Sequence, residues 1–311
     1  MALALTGAMA FAQDAPVAKV SGYVDSGLKI VNTSAGNTLQ AYANDAGVAG
    51  YRAKVTGSIA GSNYGVTATF EKDATAATTI DGAYGWLSPM EGLKLEAGTT
   101  NSNPLGELDD NGKGYFGAAG AAAEFSTGGL TVGALLSPGV VASGALPYII
   151  GARYALDKVV TVNLTAGNEG MSALNSLYAT ASVTAVTGLT LTAGYNSSSM
   201  ATTASSFIDV KAGYAITDAL SAGVVVYDYT TGTSYLTYKP YVSYALGGGL
   251  STSAYLKGDT MSNPNYEVQG ELDYVLGGAK IASQVMYDTN PGNLGSAVPA
   301  ATVLVDFIFS F

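Results

Sequence analysis

The chain has 311 residues with no Cys and no His, and its 13 Lys and Arg against 23 Asp and Glu give a formal charge of −10. These absences exclude a disulfide framework, Ser-His and Cys-His nucleophiles and His-ligated metals, and the acidic balance argues against nucleic acid as a partner. Only 12% of residues are charged, against roughly 25% in soluble chains, so much of the surface must meet something other than water. No stretch approaches the ~20 apolar residues that cross a bilayer as a helix. A closed β-barrel is the remaining way to cross, because it pairs every backbone N–H and C=O without an apolar run.

At the N-terminus, residues 3–12 form a short apolar region ending in Ala10-Phe11-Ala12, an A-x-A-like cleavage site without a preceding basic region. We read residues 1–12 as the remnant of a signal peptide and 13–311 as a single barrel domain. From about Val17, alternating segments recur between turn-rich breaks. Short breaks fall at 60–63, 88–92, 126–129, 156–158, 186–188, 217–219, 247–249 and 277–278. Mostly longer ones fall at 32–47, 72–79, 100–114, 138–145, 168–175, 197–206, 230–233, 259–264 and 289–300. The two kinds alternate strictly, and nine plus eight connections give eighteen strands, with sixteen as the alternative. Short turns on one side and longer loops on the other are expected of a transmembrane antiparallel β-barrel. Residues 115–125 are Ala-rich enough for a helix but fit the strand series, and Pro240 should sit at a bulge or near a strand end.

Where the alternation is clean, one face is apolar and the other polar. Tyr266, Val268, Leu272 and Tyr274 oppose Glu267, Gln269, Glu271 and Asp273; Ile208, Val210, Ala212 and Tyr214 oppose Asp209 and Lys211; Tyr51, Ala53 and Val55 oppose Arg52, Lys54 and Thr56. The first set faces lipid and the second a wet lumen. Tyr266 and Tyr274, eight residues apart, span about 26 Å at ~3.3 Å per residue, which when tilted approaches the apolar band between two aromatic girdles. Residues 220–229 do not sort.

The carboxylates Glu267, Glu271 and Asp273, with Asp209 and Asp306, read as an acidic lumen lining rather than an acid/base pair, since nothing indicates their desolvation. Residues 112–117 match G-x-G-x-x-G but follow a loop instead of a strand. Residues 107–112 are a partial calcium-loop pattern, but Ala118 stands where the bidentate acid belongs, so no cofactor is expected beyond loose divalent binding at 107–112.

The chain ends on Val303, Val305, Phe307, Phe309 and Phe311 along one face, with Asp306 and Ser310 on the other. The aromatics Phe307, Phe309 and Phe311 resemble the C-terminal signal by which bacterial outer-membrane barrels are recognised by the assembly machinery. The third longer loop, bearing Glu107, Asp109 and Asp110, resembles that of the general porin family, in which this loop folds inward and faces basic residues on the wall. That resemblance implies a constriction built from these acids and from Lys19, Lys29, Arg52 and Lys54. It also implies an outer-membrane channel for passive diffusion of small hydrophilic solutes, and a homotrimer. The chain departs from the family in having two Arg, no aromatic-Gly-Gly turn in the loop, and eighteen strands in place of sixteen. The acid excess predicts mild cation preference. Alternatives are a sugar channel with Tyr23, Tyr178, Tyr235, Tyr241 and Tyr255 as a stacking track, and an adhesive barrel whose loops carry the function. Small residues at Gly117, Ala119, Ala121 and Ala123 would offer a flat seat for another protomer.

Overall fold

The computed structural model of the chain describes residues 15–43, 48–74, 78–100, 118–136, 148–157, 159–168, 176–200, 203–230, 234–261, 264–289 and 299–311. Period-two segments joined by Gly-, Asn- and Asp-rich turns form only antiparallel strands. In chain order these are β1 (Val17–Thr33), β2 (Gly36–Ala43), β3 (Val48–Ala49), β4 (Tyr51–Ala60), β5 (Tyr64–Asp73), β6 (Thr79–Met90) and β7 (Leu93–Thr100). They continue as β8 (Ala118–Thr127), β9 (Leu130–Leu136), β10 (Tyr148–Leu156), β11 (Val160–Gly167), β12 (Ser176–Val183), β13 (Leu189–Met200) and β14 (Thr203–Ala215). The last are β15 (Leu220–Tyr229), β16 (Tyr235–Gly247), β17 (Leu250–Asp259), β18 (Tyr266–Leu276), β19 (Ala279–Asp288) and β20 (Ala300–Ser310).

Strand β1 pairs with β4, each later strand pairs with the next, and β20 returns to β1 from Thr33↔Ala300 to Tyr23↔Ser310. The ladder therefore closes into the expected barrel of 18 strands, and closure removes the unpaired edges that an open sheet would expose. Pairing continues to Phe311, whose N–H donates to the Gly22 carbonyl at 3.0 Å while the Gly22 N–H donates back at 3.0 Å. The short turns have the chemistry tight hairpins need: Gly128 and Gly129, at φ +54° and +85°, adopt the left-handed backbone of a two-residue turn.

Two expected loops contain ladder. Within 32–47, β2 pairs with the upper half of β1 (Thr33↔Gly36 to Gly27↔Tyr42), whereas β4 takes the lower half (Ser26↔Tyr51 to Val17↔Ala60). The partner of β1 is thus split in two. Polar Asn37, Thr38 and Gln40 hide the period of β2. Within 197–206, Ser197↔Ser206 through Met200↔Thr203 prolong the β13–β14 hairpin, and its serines carry no apolar alternation to read.

Pro240 corrects another expectation, for it lies in mid-strand, and the bulge in β16 falls between Ala245 and Gly247. Its effect is confined to one neighbour: Val224↔Pro240 pairs normally, but Lys239 and Pro240 drop out of the β17 ladder. Both missing pairings require the N–H of residue 240 to donate to the Leu256 carbonyl, and proline has none. Pro240→Val should restore that bond and stabilise the barrel by about 1 kcal/mol. An upward shift in the urea midpoint of the refolded protein checks this. The described part of the Ala-rich segment, residues 118–125, lies in the strand β8, because paired neighbours on both sides outweigh its helix propensity.

The faces sort as expected. Tyr51, Val55, Ile208, Val210, Tyr214, Tyr266, Val268, Leu272 and Tyr274 are exposed on the outside, while Asp209 and Asp306 are buried on the inside. Around the short-turn rim, Phe125, Tyr154, Tyr214, Tyr244, Tyr274 and Phe309 all point outward from the ends of their strands. This aromatic belt, with Tyr51, Tyr266 and Tyr287 toward the opposite rim, bounds an apolar band as an interface demands. The faces of β15 become clear only here: Val225 and Tyr227 are buried on the inner wall beside Phe207, so apolar residues occupy both faces.

Candidate functional site

The polar side chains converge on the inner wall. On β4 and β5, the Arg52 guanidinium donates to the Glu71 carboxylate at 2.8 Å and Lys54 Nζ stands 3.6 Å from the same oxygen. Lys29, buried on β1, places its ammonium 4.2 Å from the centre of the Tyr42 ring. Lys19 is exposed near the start of β1. The four basic residues named from the sequence therefore share adjacent strands, β1 and β4. Glu71, which the sequence reading did not single out, is shared by two of them.

The acids Glu267, Glu271 and Asp273 line β18. The Tyr255 hydroxyl donates to Glu267 and lies 2.9 Å from Gln269 Oε1, and Gln269 donates to Glu271 at 3.3 Å. Lys280 on β19 holds Asp273 at 3.0 Å and Glu271 at 3.9 Å. Asp306 is fully buried and lies across Gly27, where a Cβ would stand 2.7 Å from its carboxylate. Asp209 uses Gly194 in the same way. Glu107, Asp109 and Asp110, the calcium-like stretch 107–112, the glycine pattern 112–117 and Gly117 lie outside the described residues. Phe307, Phe309 and Phe311 face outward, with the Phe311 ring against Gly22. Ala121 and Ala123 are also exposed outward.

The structure adds residues that the sequence did not bring together. Phe207, Tyr227, Tyr229 and Tyr235 form an aromatic group on the inner wall, with Tyr229 and Tyr235 stacked at 4.5 Å and Phe207 5.7 Å from Tyr229. Of the five tyrosines proposed as a track, Tyr178 is buried, Tyr235 is stacked on Tyr229, and Tyr255 is bonded to Glu267. Charge is segregated along the wall. Lys211 and Lys239 flank Val225 in register, and beyond them Lys257 pairs across to Glu267 and Glu267 to Asp288. Period-two parity within β14 and β16 was the available signal for Lys211 and Lys239.

Comparison with solved structures matches this architecture to porins from Rhodopseudomonas blastica. Two mutant forms are each 17% identical to the chain and cover 95% of it and 100% of themselves at a TM-score of 0.58. A triple mutant of the same porin is 16% identical, with equal coverage and a TM-score of 0.57. The chain has a porin fold. No family model matches the sequence, and no curated protein matches it. At this identity the likeness is one of fold alone. What distinguishes this porin fold is therefore written in its own wall: an Arg52–Glu71–Lys54 cluster on one stretch and a Tyr255–Glu267, Lys280–Asp273 network on another.

Proposed function

We propose that the chain forms a water-filled channel in a bacterial outer membrane for passive diffusion of small hydrophilic solutes and ions, with mild cation preference. The observation that carries this reading is the closed ladder of 18 strands with ion pairs inside and an aromatic-bounded apolar band outside. Barrels of this strand number are wide enough to leave an aqueous channel, and charges on the lipid side would cost too much to be placed there. The acids of β18 favour cations because a ring or strip of carboxylates raises their local concentration.

Refolded protein in a planar bilayer should show stepwise conductance, and an electrically silent insert would end the reading. The triple variant Glu267→Gln, Glu271→Gln, Asp273→Asn removes three inward negative charges and leaves Lys280 without its carboxylates. Under a salt gradient its reversal potential should move toward anion preference, with an unchanged potential counting against these residues. A homotrimer seated on the small outward residues Ala121 and Ala123, and assembly through Phe307, Phe309 and Phe311, belong to the same proposal.

A further inference from the structure

We propose that the inner wall between β14 and β18 carries a binding subsite for a sugar acid, a hydroxylated ring bearing a carboxylate. The proposal rests on the channel reading, since the solute must enter the lumen to reach it. A recess of about 400 Å³ opens on this wall, within the ~300–1,000 Å³ of small-molecule sites. By register, Lys211 and Lys239 stand at one end of it, Ser253 and Glu271 at the other, and Tyr241 and Gln269 between them.

The geometry points to a ligand with two unlike ends. Lys239 places its ammonium 4.2 Å from the centre of the Tyr255 ring and makes no ion pair among the described residues, so its charge is available to an incoming anion. Tyr241 lies down along the wall because Gly223 has no Cβ there; one would stand 2.5 Å from the tyrosine oxygen and 2.6 Å from Cζ. A flat ring on the wall is the platform on which a pyranose stacks through its C–H face. At the far end, the Glu271 carboxylate and the Ser253 hydroxyl, with the Gln269 amide beside them, suit hydroxyl groups, which both donate and accept.

Competing small solutes fit less well. A simple anion would be repelled by Glu271, and a cation by the two lysines. A neutral sugar would leave the Lys239 charge unused. An α-amino acid carries both charges on one carbon, whereas the Lys239 ammonium lies over Tyr255 and Glu271 is in register with Ser253, two residues from Tyr255 on the same face of β17, about 7 Å at ~3.3 Å per residue. A ring with its carboxylate on one side and hydroxyls on the other spans the recess.

The test uses sodium D-glucuronate, with D-glucose and sodium acetate as comparisons, on refolded full-length protein. Calorimetry should show saturable binding of glucuronate alone, and glucuronate should block the open channel saturably. Lys239→Met should weaken binding at least about ten-fold, the scale of one lost hydrogen bond to a charged group, and Tyr241→Leu about two- to ten-fold through loss of the stacking platform, while Lys94→Met, on β7 away from this wall, should leave it unchanged. Equal binding of all three solutes, or full affinity in Lys239→Met, overturns the subsite. A barrel that binds glucuronate in this Lys239-dependent way but never conducts overturns the channel reading and leaves the subsite standing. A barrel that conducts but does not bind glucuronate does the reverse.

Discussion

Valine in place of Gly27 is expected to prevent the barrel from closing. A Cβ at this position would stand 2.2 Å from the Val305 carbonyl oxygen and 2.7 Å from the Asp306 Cα, both backbone atoms of the strand that seals the ring. Overpacking in a well-ordered interior costs about 1–3 kcal/mol when side chains can move aside. Here the obstacle is ladder backbone, so relief requires β1 and β20 to separate, and the cost should lie at or above the top of that range. The strands that meet here are neighbours in space but lie at opposite ends of the chain. Unheated Gly27→Val should migrate as unfolded chain in detergent gels, where folded wild type runs as a compact band. Gly270→Val is the control, because a Cβ there meets nothing within 4 Å. Wild-type folding of Gly27→Val would show that the seam is looser than its geometry.

Arginine on the outer face should be nearly as damaging for a different reason. Val285 lies on the exterior of β19 in register with Gly270, midway between the belt residues Tyr266 and Tyr274, and is 60% exposed to what must be lipid. A basic residue at the bilayer midplane costs roughly 2–4 kcal/mol, and less toward the interfaces. Val285→Arg should therefore lower the unfolding free energy in lipid vesicles by about that amount. Gln284→Arg, on the inner face of β19 directly opposite Glu271 in the ladder, places the same charge in the lumen beside a carboxylate. Its cost should stay below about 1 kcal/mol, as for a solvated ion pair. Equal losses from the two substitutions would mean that inside and outside are wrongly assigned.

Much of this architecture is legible one strand at a time. A strand facing lipid on one side and water on the other must alternate, so the pattern on β4, β14, β18 and β20 discloses both the element and its orientation. The pattern fails where the physics relaxes. On β15 the inner wall is apolar, with Val225 and Tyr227 packed near Phe207, and period two disappears although the strand does not. On β2 and the tip of the β13–β14 hairpin, polar residues predominate, and the ladder is held by backbone pairing that no side-chain period reports. Pro240 shows the converse limit. The sequence says that a donor is missing, but only the pairing shows that β17 loses it and β15 does not.

The candidate site divides in the same way. That Glu267, Glu271 and Asp273 share the inner face follows from parity alone. That Lys280 stands between two of them, that Glu71 holds Arg52 and Lys54, and that Lys239 stands over Tyr255 without an ion pair among the described residues depend on which strands are neighbours and in what register. By itself the sequence narrowed the strand number to eighteen or sixteen and determined the lipid-facing side of the cleanly alternating strands and the absence of His- or Cys-based chemistry, because each is a property of composition or of local period. Only the tertiary structure decided which charges meet, where Tyr241 lies flat and how Phe311 seals against Gly22. A ladder fixes contacts through register between strands, and register couples residues as far apart as Gly22 and Phe311 that no local pattern can join.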